Sequence, residues 1–258
     1  MTLTDSLWGI GAVWRRYLDV FLKGILGYLV TSFLEPILYL LSFGIGVGAL
    51  VGELHTQGVA LSYRSFIFSG IIAQTVLFQG FYEGAFGGFV RMYYQKIFQA
   101  IAITPITLSE VLWGELLWDT TKGALAAEVV ALIGVVSGSF PPIALLTLLP
   151  VCFLSALLFS AMGLASAALS RNIDQLAYPQ YLLVFPMFLF CGVFYPLDGL
   201  PAALKIVAWF FPLTSVVSIV RTITLGLPFQ VQAAPILAAW LIVLVPFSRR
   251  AMIRRLVK

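Results

Sequence analysis

Charge is what this sequence lacks most. Asp, Glu, Lys and Arg supply 10% of its 258 residues, where a soluble domain carries about one quarter. With a mean hydropathy of +1.02, water cannot solvate such a chain and lipid must be its solvent. Histidine is nearly absent: the single one, His55, lies in a polar stretch between apolar segments. No serine or cysteine nucleophile therefore has a base beside it, and no hydrolytic site can be assembled. The two cysteines, Cys152 and Cys191, sit in separate apolar runs, read as small hydrophobes and imply neither a disulfide nor a redox role. Without a dense carboxylate cluster at ligand spacing, the chain is expected to hold no metal. No positive, apolar, small-residue leader opens the sequence, so no removed signal peptide is expected and the mature chain is expected to begin at Met1. The net charge of +4 is not the footprint of nucleic-acid binding, because the basic residues gather at the ends of apolar segments, as membrane topology demands.

What is there predicts an all-α polytopic membrane protein, one domain over residues 1–258, with six transmembrane helices. Residues 5–23 alternate apolar side chains, among them Trp8 and Trp14, with Asp5, Arg15, Arg16, Asp19 and Lys23. This pattern predicts an amphipathic helix lying in the cytoplasmic interface. The first span covers 27–50, is interrupted at Glu35-Pro36, and carries Gly44, Gly46 and Gly48 for close packing against a neighbour. A short outer loop, 52–62, leads to a second span over 63–90, whose Gln74, Gln79 and Glu83 are too costly against lipid and must face protein or a cavity. Residues 91–104 read as a short cytoplasmic helix with Arg91, Tyr94 and Lys96. The third span, 106–136, holds Glu110, Glu115, Asp119, Lys122 and Glu128; Pro141-Pro142 turn the chain into a uniformly apolar fourth span, 143–169. The fifth is 176–193 and the last 231–247, closed by Arg249, Arg250, Arg254, Arg255 and Lys258. Between them, 202–225 is split by Phe211-Pro212 into pieces too short to cross roughly 30 Å of hydrocarbon, which predicts an outer re-entrant hairpin. That path places eleven of the fifteen Lys and Arg residues on the cytoplasmic side with both termini, as the positive-inside rule requires. A seventh crossing would put the C-terminal basic cluster outside.

Within the third span, Glu115, Asp119 and Lys122 share one helical face within about 60°, and Asp119 can pair with Lys122 at i,i+3. Three readings stay open for this intramembrane set, together with Glu35 and Glu128: an ion pair that holds helices together, a lining for a polar head group, or proton coupling. Glu35 can accept hydrogen bonds from Arg15 or Arg16, or meet a substrate or partner. The 91–104 segment suits docking to a cytoplasmic partner, and a plain interfacial turn has the same pattern. Gln74, Gln79 and Glu83 are the candidates for head-group contact, with Tyr181, Phe185 and Phe188 as apolar or stacking surface.

Several stretches in order carry a resemblance. They are Trp14-Arg15-Arg16, Glu35-Pro36-Ile37-Leu38-Tyr39-Leu40 running into Gly44-Ile45-Gly46-Val47-Gly48, and Gly114-Glu115 through Thr121-Lys122. The outer stretch from Cys191-Gly192 through Tyr195-Pro196-Leu197-Asp198-Gly199-Leu200-Pro201, then Phe211-Pro212-Leu213 and Arg221, completes them. Over nearly the whole chain this resembles the ABC-2 type permeases of bacterial ABC exporters, especially the nodulation-protein-J branch. The resemblance implies a six-span half-transporter in the bacterial cytoplasmic membrane, acting as a homodimer with two copies of a cytoplasmic ABC ATPase. It implies a lipid, lipo-oligosaccharide or similar amphipathic substrate, with the first, second and fifth spans lining its path. ATP and Mg would be bound by the partner and no cofactor by this chain, which has no Gly-x-x-x-x-Gly-Lys-Ser/Thr loop to cradle phosphates. Contacts with the ATPase are implied for Arg15, Arg16, Arg91, Tyr94 and Lys96. The alternatives are an ion-coupled secondary transporter using the charged third span, which should show inverted repeats, and an ABC-2 permease exporting drugs or polysaccharides. A membrane-embedded structural or sensor subunit is a further rival.

Overall fold

A computed structural model describes residues 3–51 and 53–256; Gly52 and Lys258, which the sequence assigned to the outer loop and the basic cluster, lie outside the described residues. The first helix, α1 (Leu3–Lys23), is a single amphipathic rod. Gly24 separates it from α2 (Ile25–Tyr39), where the amide of Gly24 bonds back to the Phe21 carbonyl at 3.1 Å. The expected interruption at Glu35-Pro36 does not occur there. The helix passes through Pro36 and continues as π-wound turns, Leu40–Val47, before a last α turn, Gly48–Val51. A proline removes one ladder donor and crowds the preceding turn, and the wider winding just beyond it takes up the mismatch. Nothing lies within 4 Å of the positions that side chains on Gly44 and Gly46 would occupy, so these glycines pack against no neighbour within the described residues.

The expected outer loop is a β-hairpin, which corrects an all-α reading. Strands β1 (Glu53–Thr56) and β2 (Val59–Ser62) pair antiparallel, with Thr56 opposite Val59. Gln57 (φ 50°) and Gly58 (φ 78°) close them, both left-handed as a tight hairpin turn requires. A two-stranded hairpin is marginal alone, and this one is tied down by Asp198, whose Oδ2 accepts from Thr56 Oγ1 at 2.9 Å and the Gln57 amide at 3.2 Å. Asp198→Ala is expected to raise amide hydrogen exchange across residues 53–62 about tenfold, the equivalent of one lost charge-assisted bond; unchanged exchange there would show that the strands hold themselves.

The chain then enters α3 (Tyr63–Tyr82), capped by Ser62, whose hydroxyl accepts from the Ser65 amide. Its helical path does not stop at Val90 but runs on through π-wound turns at Glu83–Gly87 and Val90–Tyr94. Helix α3 sits at the centre, with Phe66, Ile67, Ile71, Ile72, Leu77 and Phe81 fully buried. Lys96, left-handed at φ 52°, turns the chain into the short α4 (Ile97–Ala102). Helix α5 (Leu108–Val136) starts at a capping box in which Thr107 and Glu110 each accept the other's amide. Helix α6 (Ile143–Leu169) follows. These two and α3 pack on one another, and α1 lies along α5.

The fifth apolar segment begins and ends earlier than 176–193. It is a 3-10 turn at Ile173–Leu176, an α turn at Ala177–Pro179, π-wound turns at Gln180–Val184 and α7 (Phe185–Phe190). Next, α8 (Ala202–Phe210) and α9 (Pro212–Leu225) meet at 92°. The last helix, α10 (Ala233–Leu256), continues beyond Phe247 so that Arg249, Arg250, Arg254 and Arg255 stand on it. Four helical stretches among the described residues are long and apolar enough to cross a membrane, and five if α8 and α9 together form one broken span. Helix α5 has the length, at 29 residues, but carries the charged set. Both Cys152 and Cys191 are buried and unpaired.

Candidate functional site

Glu83, Glu115, Asp119 and Lys122 of the second and third spans come together as one cluster, with Arg91 as its hub. Its guanidinium reaches three carboxylates: Nη1 to Glu83 Oε1 at 2.7 Å, Nε to Glu115 Oε1 at 2.5 Å and Nη2 to Asp119 Oδ1 at 3.0 Å. Lys122 Nζ takes the other oxygen of Glu83 at 2.5 Å. The i,i+3 pair expected between Asp119 and Lys122 does not form, because each finds a partner on the α3 path instead. Glu115 and Asp119 are 0% exposed, so each depends on protein donors rather than water. If all five groups are ionised, three carboxylates face two cations, leaving a formal −1.

Aromatic side chains enclose this cluster. Arg91 lies 5.2 Å from the Tyr17 ring centroid and Lys122 lies 4.5 Å from that of Tyr28, and Trp118 meets Trp14, Tyr17 and Phe21 at ring separations of 6.5, 6.3 and 5.5 Å. Burial pushes the Tyr17 phenol well above its ordinary pKa, and the nearby Glu115 carboxylate adds to the shift, so Tyr17 stays neutral. Helix α1 brings these rings in by close docking. Val13 sits against Gly114, where a Cβ would stand 2.6 Å from that of Val13, and Trp14 Nε1 donates to Thr121 Oγ1 at 3.2 Å. A cavity of about 570 Å³ opens between α1, α2 and the cluster, lined by Arg16, Tyr17, Tyr28, Glu83, Arg91 and Lys122 among others. That volume lies within the range of small-molecule sites.

Other residues singled out in the sequence lie apart from this cluster. Gln74 is buried in the core with Oε1 lacking a hydrogen-bond partner, and Gln79 is half-buried. Phe188 is buried among Tyr39, Phe78 and Phe194, with centroids 5.8, 5.1 and 5.0 Å away, whereas Tyr181 is 63% exposed and stacks on half-buried Phe185. Glu128 lies beside Cys152 rather than in the cluster. Among the described residues Glu35 forms no ion pair, with Arg15, Arg16 or any other cation. Arg15, Arg16, Tyr94 and Lys96 are exposed. Sequence reasoning missed Tyr17, Tyr28 and Trp118 as walls of the cluster and placed Arg91 with the exposed segment. The eight-residue spacing between Glu83 and Arg91 gave no signal for their pairing, because an ideal α-helix sets such residues about 80° apart. Among the described residues no group of three or more His, Cys, Asp or Glu is placed to hold a metal ion.

Several long apolar helices around a buried ion cluster define a multi-pass membrane protein. More specifically, the chain belongs to the ABC-2 type transporter family, whose model matches residues 10–225. It is 31% identical over 245 residues to nodulation protein J of Rhizobium leguminosarum bv. viciae, covering 95% of this chain and 93% of that one. It is 30% identical over 249 residues to nodulation protein J of Rhizobium meliloti, covering 96% and 94%. The inner membrane transport permease YadH of Escherichia coli is 23% identical over 190 residues, 74% of this chain and 72% of that protein. The chain is thus a permease, the membrane component of a transporter, and its family implies an ABC ATPase as partner.

Proposed function

We propose that this permease moves an amphipathic lipid, lipo-oligosaccharide or similar molecule out across the bacterial cytoplasmic membrane, as a homodimer driven by two copies of a separate ABC ATPase. The observation that carries this reading is the position of Arg91. It is the first residue of the 91–104 segment and is bonded to Glu83 on the α3 path and to Glu115 and Asp119 on α5. A push on that segment by an ATPase closing on ATP would therefore move both helices together. Exposed Tyr94 and Lys96 offer the contact surface, as do exposed Arg15 and Arg16 on α1.

The proposed topology has six crossings: 25–51, 63–94, 108–136, 143–169, 173–190 and 233–256. The α8–α9 pair is an outer re-entrant hairpin and both termini are cytoplasmic. The lysine and arginine distribution supports it. Gly44 and Gly46, without a neighbour among the described residues, give the π-wound stretch after α2 a flat edge on which a second copy can pack. An amphipathic cargo suits the 570 Å³ cavity, whose aromatic and charged walls match an apolar body with a polar head.

The test is reconstitution of the full chain with a candidate ABC ATPase of the same organism. The Tyr94→Ala/Lys96→Glu double variant is expected to lower coupled ATP turnover about tenfold, one lost interfacial anchor, at unchanged permease yield. Failure of any ATPase to co-purify, or transport driven by a proton gradient without one, would replace this reading with the ion-coupled alternative.

A further inference from the structure

A second buried cation stands at the hairpin end, far along the sequence from the Arg91 cluster. Arg221 of α9 is 7% exposed, and its guanidinium lies 3.7 Å from the Phe66 ring centroid. Three of its N–H groups are committed: Nη2 donates to the Gly192 carbonyl at 2.6 Å and the Val193 carbonyl at 3.2 Å, and Nε to Ser69 Oγ at 3.3 Å. Those bonds fix the bend after α7. They leave Nη1 without an acceptor among the described residues, and no carboxylate there is at salt-bridge distance, Asp198 facing this side chain only across the cavity. A buried guanidinium without a counter-ion is costly.

Arg221 lines a cavity of about 120 Å³ whose walls include Gln57, Asp198, Lys205, Trp209 and Ser218. A cavity needs roughly 10–15 Å³ of such volume to hold one water, so this one has room for several waters or one small oxyanion group. Asp198 Oδ2 is already engaged by the hairpin turn, and Lys205 Nζ donates to the Asp198 carbonyl at 2.8 Å. Arg221 and Lys205 against Asp198 give the walls a formal +1. A neutral sugar or a cation would leave that charge uncompensated.

We infer that this cavity binds a single phosphate-type anion, held by Nη1 of Arg221 with Lys205 and the Ser218 hydroxyl on its walls and the β1–β2 turn over it. Arg221 then has two tasks in one side chain: it joins the α7 bend to α3 and presents the charge. The same oxyanion chemistry is found in free phosphate and in the phosphodiester of a lipid head group, and the two sources are separable by experiment.

The full chain, purified in a phosphate-free maltoside detergent, is followed by its apparent unfolding temperature in two series. In one, potassium phosphate is compared with potassium chloride at matched ionic strength; in the other, phosphatidylglycerol is compared with diacylglycerol. A ligand that binds only the folded protein raises the transition saturably. A rise specific to phosphate assigns the free ion, and a rise specific to phosphatidylglycerol assigns the lipid head group. Ser218→Leu, which fills the cavity and leaves Arg221 in place, is expected to abolish the effect. Lys205→Met is expected to raise the half-saturating concentration about tenfold, as for one lost charge-assisted bond. Absence of a specific rise in both series, or a rise undiminished in both variants, would overturn the assignment.

Discussion

Replacing Arg91 with methionine is expected to destabilise the protein by about 3–5 kcal/mol, the cost of removing one partner from a buried ion pair. The reason lies in what remains: Glu115 and Asp119 are fully buried, and each has one oxygen already lacking a hydrogen-bond partner. Without Arg91 both lose the guanidinium that offsets their desolvation. The size of the loss should therefore follow the stranded carboxylates rather than the missing packing. Adding Glu115→Gln and Asp119→Asn to Arg91→Met is expected to restore much of the unfolding temperature, because neutral amides leave no unpaired charge. Lys122→Met should cost less, since its partner Glu83 keeps Arg91. Fluorescence-detected gel filtration of heated samples measures all of these variants. An Arg91→Met protein as stable as Lys122→Met, or no recovery in the triple variant, would show that the cluster does not hold α3 to α5.

Gly163→Ala is expected to be the most damaging single-methyl addition in the molecule. Helix α6 crosses the α3 path backbone to backbone. A Cβ on Gly163 would overlap the Phe81 carbonyl and stand 2.7 Å from the Ala85 amide nitrogen, and one on Gly84 would overlap the Ser160 carbonyl and stand 3.0 Å from the Leu164 amide nitrogen. No side chain is available to rotate away, so the two helices must separate. Overpacking typically costs about 1–3 kcal/mol, and a rigid backbone contact sets the upper end of that range. Gly163→Val is expected to yield no folded protein. Gly11→Ala is the control: nothing lies within 4 Å of its new methyl group, and its helix propensity gains by up to about 1 kcal/mol. Equal stability of Gly163→Ala and Gly11→Ala would mean that the crossing is looser than described.

The sequence made the membrane setting legible because apolar length is a one-dimensional property. It gave the amphipathic α1, the burial of the polar second span and the break at Phe211-Pro212, each encoded within one segment. The hairpin was not legible, since Gln57-Gly58 lacks the Asn or Asp that marks a two-residue turn. Partners in the ion cluster were hidden for a different reason. An ideal α-helix separates residues eight apart by about 80°, which turns Arg91 away from Glu83. The π-wound turns between them take more residues per turn and return both to one face. Winding of that kind depends on packing against α5 and α6 and leaves no periodic mark. Gly44 and Gly46 suggested close packing by composition alone, while the glycines that meet a neighbouring backbone, Gly84 and Gly163, sit where only the helix crossing identifies them.

The sealed position of both cysteine thiols makes the natural protein its own blank for topology mapping. Membrane-impermeant maleimide reacts with exposed thiolate and should leave the unaltered chain unmarked, so Ala60→Cys or Arg254→Cys, both at exposed positions, reports its own side of the bilayer without a cysteine-stripped parent.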